Sequence, residues 1–261
     1  MVSPVSGVWR KIERADLHVK DFKRLRARFQ DEKAKAVVCQ GDQEDPRGVV
    51  WRLVDVSVPD DLRLVVGDAV HNLRTSLDYL VDILVRANDQ SPETYTAFPV
   101  WRKRGVPGRA PLESLVCRKV RGVAPKVFHA FEALQPYEGG AHEQLWALDQ
   151  LDIIDKHRLP LLLTMRLASR GAQVRIGNRA DEDERPPAYL GFSIEFPPFK
   201  DGDVLARLPR AGDPKTDDRV KFAFDVALGE PEILRGDQVL LALSKMRKAV
   251  LEAVREFRVF L

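Results

Sequence analysis

An α+β fold is predicted by three features of this sequence. Apolar residues at helical spacing fill most of the first 160 positions. Short β-branched runs, separated by Gly, Pro and Asp clusters, follow Pro160. A last amphipathic segment then returns to helical spacing at the C-terminal end. The expected architecture is an N-terminal helical bundle with one strand, an antiparallel β insertion or meander, and a C-terminal helix packing back on the bundle. The helical part covers 9–160 and 236–258 and the β-rich part 161–228, interdigitated in a single domain over 1–261.

The first helix is expected over 9–34, where Ile12, Ala15, Leu17, Val19, Phe22, Leu25 and Phe29 form a broad apolar stripe among Lys, Arg and Asp. GDQEDPRG at 41–48 reads as a turn, and VVWRLVDVSV at 49–58 as a strand ended by Pro59. A helix over 60–88 follows, with Asp60 or Asp61 placed to cap it. At about 100° per residue, Val66, Ala69, Val70, Leu73, Leu77, Leu80, Val81 and Leu84 share one side. Asp68, His71, Thr75, Asp78 and Asp82 share the other. Gly67 marks a kink or a close approach of another chain segment. A Pro- and Gly-bearing loop over 91–112 leads to helices over 124–135 and 142–159, the second stopped by Pro160. Strands are expected at 161–167, 172–177, 189–196, 204–209 and 220–228. The last helix runs from Gln238 to Phe257, with Val239, Leu240, Leu243, Met246, Val250, Val254 and Phe257 on its apolar face.

Composition narrows the function. An apolar fraction of 44% and a charged fraction of 31% suit a folded chain with a sizeable core. A net charge of +3 lacks the strong basic excess of a dedicated nucleic-acid binder. Cys39 and Cys117 are too few and too far apart for a thiolate metal site. The N-terminus has no apolar signal segment, and no run of about 18 apolar residues suggests a membrane span, so a cytoplasmic protein is expected. GxxxxGK[ST], GxGxxG and GxSxG are missing, which argues against a P-loop, a standard dinucleotide fold and an α/β-hydrolase. No cofactor and no metal are expected.

Two constellations stand out. His71, Arg74, Asp78 and Asp82 lie three or four residues apart on one helix and are neighbours on its surface. Asp152, Asp155, Lys156, His157 and Arg158 interrupt an apolar run at the end of another helix. Their plain structural explanations are an i,i+4 ion pair for Arg74 and Asp78, and cations complementing a helix C-terminus for Lys156, His157 and Arg158. The functional expectation is a shared cleft for acid–base work on a phosphate-bearing substrate. Histidine exchanges protons near neutral pH, and arginine's planar donors fit two phosphate oxygens. In that scheme His71 and His157 act as base and acid, Arg74 or Arg158 holds the phosphate, and Asp155 orients His157. Asn72, Asp78, Tyr79 and Lys156 support or bind. Metal-independent RNA cleavage follows if both imidazoles reach one cleft.

GDAVHNLRTSLDYLV at 67–81, FPVW at 98–101, LQPYEGG at 134–140 and LWALDQLDIIDKHR at 145–158 together resemble the signature of a family of bacterial proteins of unassigned activity, as does KIERADLH at 11–18. The helix bearing Arg74 also resembles the HEPN superfamily of helical RNases and RNA-binding proteins, in which an Arg is followed after four to six residues by a His. Tyr79 stands where that His is expected, and a phenol is a poor base at neutral pH. The resemblance implies RNA as partner, a homodimer, and either a nuclease or an inactive relative. The competing expectation is a non-catalytic module holding a protein partner or playing a structural part. A small-molecule enzyme is a third, for which no substrate signature is present.

Overall fold

The computed structural model describes residues 5–101, 115–157, 160–174, 199–210 and 220–261. The architecture is α+β, with N-terminal helices packed against a C-terminal helix and small antiparallel sheets. Helix α1 spans Ser6–Lys33. Strands β1 (Val37–Gly41) and β2 (Gly48–Leu53) form a hairpin, and α2 spans Asp60–Arg86. The short α3 (Leu115–Lys119), then α4 (Pro125–Leu134) and α5 (Glu143–His157), follow. Strands β3 (Leu163–Val174), β4 (Val204–Pro209) and β5 (Val220–Leu228) precede α6 (Val239–Phe257).

Helix α2 is the centre of the molecule, packed by α1, α5 and α6. All eight of its predicted apolar positions, from Val66 to Leu84, are buried. So are Asn72, Arg74 and Ser76, because α5 and α1 cover sides that a two-layer helix would leave to water. Helix α1 runs antiparallel along α2. Gly7 faces Tyr79, Lys11 reaches Asn72, and His18 reaches Asp68. Asp60 and Asp61 sit inside the first turn of α2, not at its cap. Pro59 is the capping residue and no side chain caps the helix, so the two carboxylates act through the helix dipole.

The strands divide between two sheets. β1, β2 and β4 form one, with β4 antiparallel to β2 and Val50 opposite Arg207; β3 and β5 form the other, with Leu163 opposite Leu228. The strand expected at 172–177 is in part the end of the long β3, which carries a register shift between Leu167 and Ala172. The one expected at 189–196 lies outside the described residues. The strand expected at 49–58 ends at Leu53. Beyond it Asp55 turns to bind Lys33 and Ser57 donates its backbone N–H to Asp55 Oδ1 at 2.8 Å. One cluster of buried apolar residues runs from α1 and α2 through β5 to α6. Arg26 grips Asp225 of β5 through two bonds of 2.5 and 2.7 Å, and Arg247 of α6 grips Asp16 of α1 at 2.6 and 2.8 Å.

The Lys33–Asp55 pair gives a first testable consequence. Lys33 is buried, and its ammonium holds the Asp55 carboxyl down at about 2 from 3.8. A carboxyl depressed in the folded state stabilises the fold above its unfolded pKa, and that contribution disappears as pH falls through the folded value. Lys33→Met keeps an unbranched apolar side chain in the buried site but removes the charge that stands 5.8 Å from the Phe29 ring centroid. Thermal melts between pH 5 and about 2 are expected to show a smaller acid-induced loss of stability in this variant than in the parent chain.

Candidate functional site between α2 and α5

Helices α2 and α5 meet antiparallel, in a register that pairs an aspartate of α5 with one position of α2 at each turn. Arg74 Nε donates to Asp149 Oδ1 at 2.9 Å. One turn on, His71 Nδ1 lies 3.1 Å from Asp152 Oδ1. One turn further, the Asp155 carboxyl occupies the space that a side chain at Gly67 would need: a Cβ there would lie 2.7 Å from Asp155 Cγ and 2.8 Å from its Oδ2. Gly67 therefore marks a close approach. The spacing of Asp149, Asp152 and Asp155 along α5 matches that of Arg74, His71 and Gly67 down α2, because three and four residues each make about one helical turn.

The inner rung is closed. Arg74 is only 4% exposed, and its three guanidinium nitrogens bond to Asp149, Asp78 and the Phe98 carbonyl, the last at 2.9 Å. Asp78 in turn accepts the Phe98 N–H at 2.8 Å. Burial works against the guanidinium charge, but Asp78 and Asp149 outweigh it and raise the Arg74 pKa. Lys119, at the end of α3, borders the same network, and burial is the main reason its ammonium is held below the ordinary lysine value. This rung pins α2 to α5 and to the extended segment 97–101 and leaves no guanidinium face for a phosphate. Arg74 is thus placed as a structural residue, in contrast to the phosphate-binding role expected of it.

The middle rung is open on one side. Asp152 is 4% exposed and takes Lys156 Nζ on Oδ2 at 2.7 Å while its Oδ1 faces the imidazole. The His71 side chain is 44% exposed, and its Nε2 lies 3.4 Å from Thr75 Oγ1. One ring nitrogen is held by a buried carboxylate, and the other meets the Thr75 hydroxyl on a side chain that is part-exposed. That arrangement fixes the tautomer and orientation of a proton-transferring histidine. A histidine oriented by an acid was expected at His157 and Asp155, but it is His71 and Asp152 that form it.

His157 does not join these rungs. It is exposed at the last position of α5, about 140° round the helix from Asp152 at about 100° per residue. Asp155 faces Gly67 instead of orienting it. Arg158 lies outside the described residues. Asn72 donates to the Asp68 carbonyl at 2.8 Å and meets Lys11 at 3.4 Å, and Lys11 stands 5.8 Å from the Tyr79 ring centroid. Asn72 and Tyr79 therefore belong to the α1 side of α2. Carboxylates outnumber ammonium groups near His71, with Asp68, Asp152 and Asp155 against Lys11 and Lys156. Among the described residues, no group of three or more His, Cys, Asp or Glu is placed to hold a metal ion, and no helix is long and apolar enough to cross a membrane.

Comparison with known proteins yields no matching family model, no matching curated protein and no matching solved structure.

Proposed function

We propose that this chain carries out metal-independent acid–base chemistry on RNA phosphodiesters at the cleft between α2 and α5, with His71 as a proton-transferring group. The observation that carries the reading is the His71–Asp152 contact of 3.1 Å on a histidine whose side chain is part-exposed and whose second ring nitrogen meets the Thr75 hydroxyl at 3.4 Å. Phosphodiester cleavage by a neighbouring ribose 2′-hydroxyl needs only one group to take a proton and one to give it, and a positioned histidine is suited to either task near neutral pH. Lys156, bound to Asp152, is the cation that borders His71 on the α5 side in this arrangement.

The test is cleavage of a labelled mixed RNA pool in EDTA. His71→Ala is expected to lose about 10²–10⁴-fold in rate with folding intact, the usual share of a general acid or base. His157→Ala is expected to cleave like the parent chain.

A second reading is favoured by the closed Arg74 rung and the surplus of carboxylates around His71. Long-range attraction of a polyanion depends on a surplus of cations, and none is present here. Under that reading the chain is a non-catalytic interaction module, and the buried ladder serves to fix the surface it offers to a protein partner or a second copy. A parent chain that fails to cleave RNA at high concentration supports this alternative and overturns the first.

A further inference from the structure

We propose that Asp155 is the second proton-transferring group of this site: its carboxylate takes the proton of the ribose 2′-hydroxyl while His71 gives one to the departing oxygen. The inference rests on the acid–base reading above and deepens it.

Three observations place Asp155 in this role. The first is the helix register. Arg74 and His71 each face an aspartate of α5 with a group that can bond it, whereas the third position of α2 is Gly67. Any side chain at 67 would collide with the Asp155 carboxyl, so the missing side chain is what gives that carboxyl its seat. The second is proximity. Gly67 and His71 are one turn apart on α2, and Asp155 and Asp152 one turn apart on α5, which brings the Asp155 carboxyl near enough to the imidazole for His71 to act on its charge. The third is the electrostatic setting. Burial is the largest influence raising the Asp155 pKa above 3.8, followed by repulsion from Asp152 and Asp68, while His71 and Lys156 pull it down. From α1, His18 faces Asp68 at 3.8 Å.

A raised carboxyl pKa in the folded chain means tighter proton binding when folded. The contribution to stability is favourable below 3.8 and is lost as pH rises through the folded value. At neutral pH the ionised Asp155 therefore opposes folding. A half-buried carboxylate that destabilises its own helix contact is poorly explained by packing and well explained as a base made stronger by its surroundings.

The reaction balances with these two groups alone. Asp155 accepts the 2′-hydroxyl proton, and the freed oxygen bonds to phosphorus. The bond from phosphorus to the 5′-oxygen breaks, and the proton on His71 Nε2 passes to that oxygen. The products are a 2′,3′-cyclic phosphate and a 5′-hydroxyl end, leaving Asp155 protonated and His71 neutral. Exchange with water restores both.

The experiment is the pH dependence of RNA cleavage in EDTA for the parent chain, His71→Ala, Asp155→Asn and Asp155→Glu, with thermal melts at neutral pH for each. Asp155→Asn is expected to lose about 10²-fold or more in kcat, to change KM little, and to abolish the acidic limb of the profile. Its melting temperature at neutral pH is expected to rise. Asp155→Glu is expected to recover part of the rate and the limb. If His71→Ala is inactive while Asp155→Asn keeps the parent rate and acidic limb, the Asp155 assignment is overturned and the acid–base reading stands. If the parent chain itself does not cleave RNA, both are overturned.

Discussion

Arg74→Ala is expected to destabilise the fold by about 3–5 kcal/mol, the usual cost of removing one member of a buried, hydrogen-bonded ion pair. The penalty has two sources. The guanidinium bonds to Asp149, Asp78 and the Phe98 carbonyl disappear together. Asp149 is 8% exposed, so its carboxylate would be left in the interior without its main counter-charge. Domains of ordinary stability have only about 5–15 kcal/mol to lose, so thermal unfolding of the variant should move down on the order of 10 °C. Arg74→Lys should recover only part of this, because one ammonium cannot span a carboxylate on each side and a carbonyl beyond them. The informative comparison is Arg74→Met with Asp149→Leu. Removing both charges together removes the stranded carboxylate, so the double variant should be more stable than Arg74→Met alone. A double variant as unstable as the single would show that the Phe98 and Asp78 bonds, not the Asp149 pair, carry the energy.

This network also shows how far a sequence reading reaches. The faces of α2 and α6 were legible because each is long and its apolar residues repeat at one period. The neighbours within a helix were legible too, as with Arg74 and Asp78. Contacts between helices were not, because the period of one helix says nothing of which turn of another lies opposite. The register linking Asp149, Asp152 and Asp155 to Arg74, His71 and Gly67 appears only when both helices are set antiparallel. The line of three aspartates at i, i+3 and i+6 on α5 is the signal in the sequence that could have pointed to it. His157 was misplaced for a local reason. Residues two apart, such as Asp155 and His157, lie about 160° apart on a helix and cannot face one groove. The strands failed differently. β1 is an edge strand with no fully buried residue, so its sequence lacks an apolar alternation. β4 chooses β2 as its partner from far along the chain, and turn chemistry cannot encode so distant a pairing.

Phe131→Ala is the second substitution with a large expected effect, about 3–5 kcal/mol for a large aromatic side chain removed from a packed interior. Phe131 is 1% exposed on α4 and stands between two other rings. Phe257 of α6 stacks on it with centroids 4.2 Å apart, and Phe98 meets it edge-on at 5.7 Å and 83°. Edge-to-face and offset stacked pairs add roughly 0.5–1.5 kcal/mol each beyond the area they bury. Truncation therefore removes the apolar contact, two ring interactions and the volume that fills the junction of α4, α6 and segment 97–101. The consequence reaches the site through Phe98. Its side chain leans on Phe131, while its carbonyl and N–H hold Arg74 and Asp78. Loss of the Phe131 ring frees Phe98 to shift, and the Arg74 bonds loosen with it. Stability loss from Phe131→Ala and Arg74→Ala should consequently be less than additive in the double variant, by more than the roughly 0.5 kcal/mol seen for independent sites. Phe257→Ala provides the contrast. It stacks on the same ring but carries no backbone bond to the ladder, so its loss should add to that of Arg74→Ala. Full additivity for Phe131 would mean that Phe98 is held by the Arg74 and Asp78 bonds alone, and that the aromatic cluster and the polar ladder are independent supports of α2.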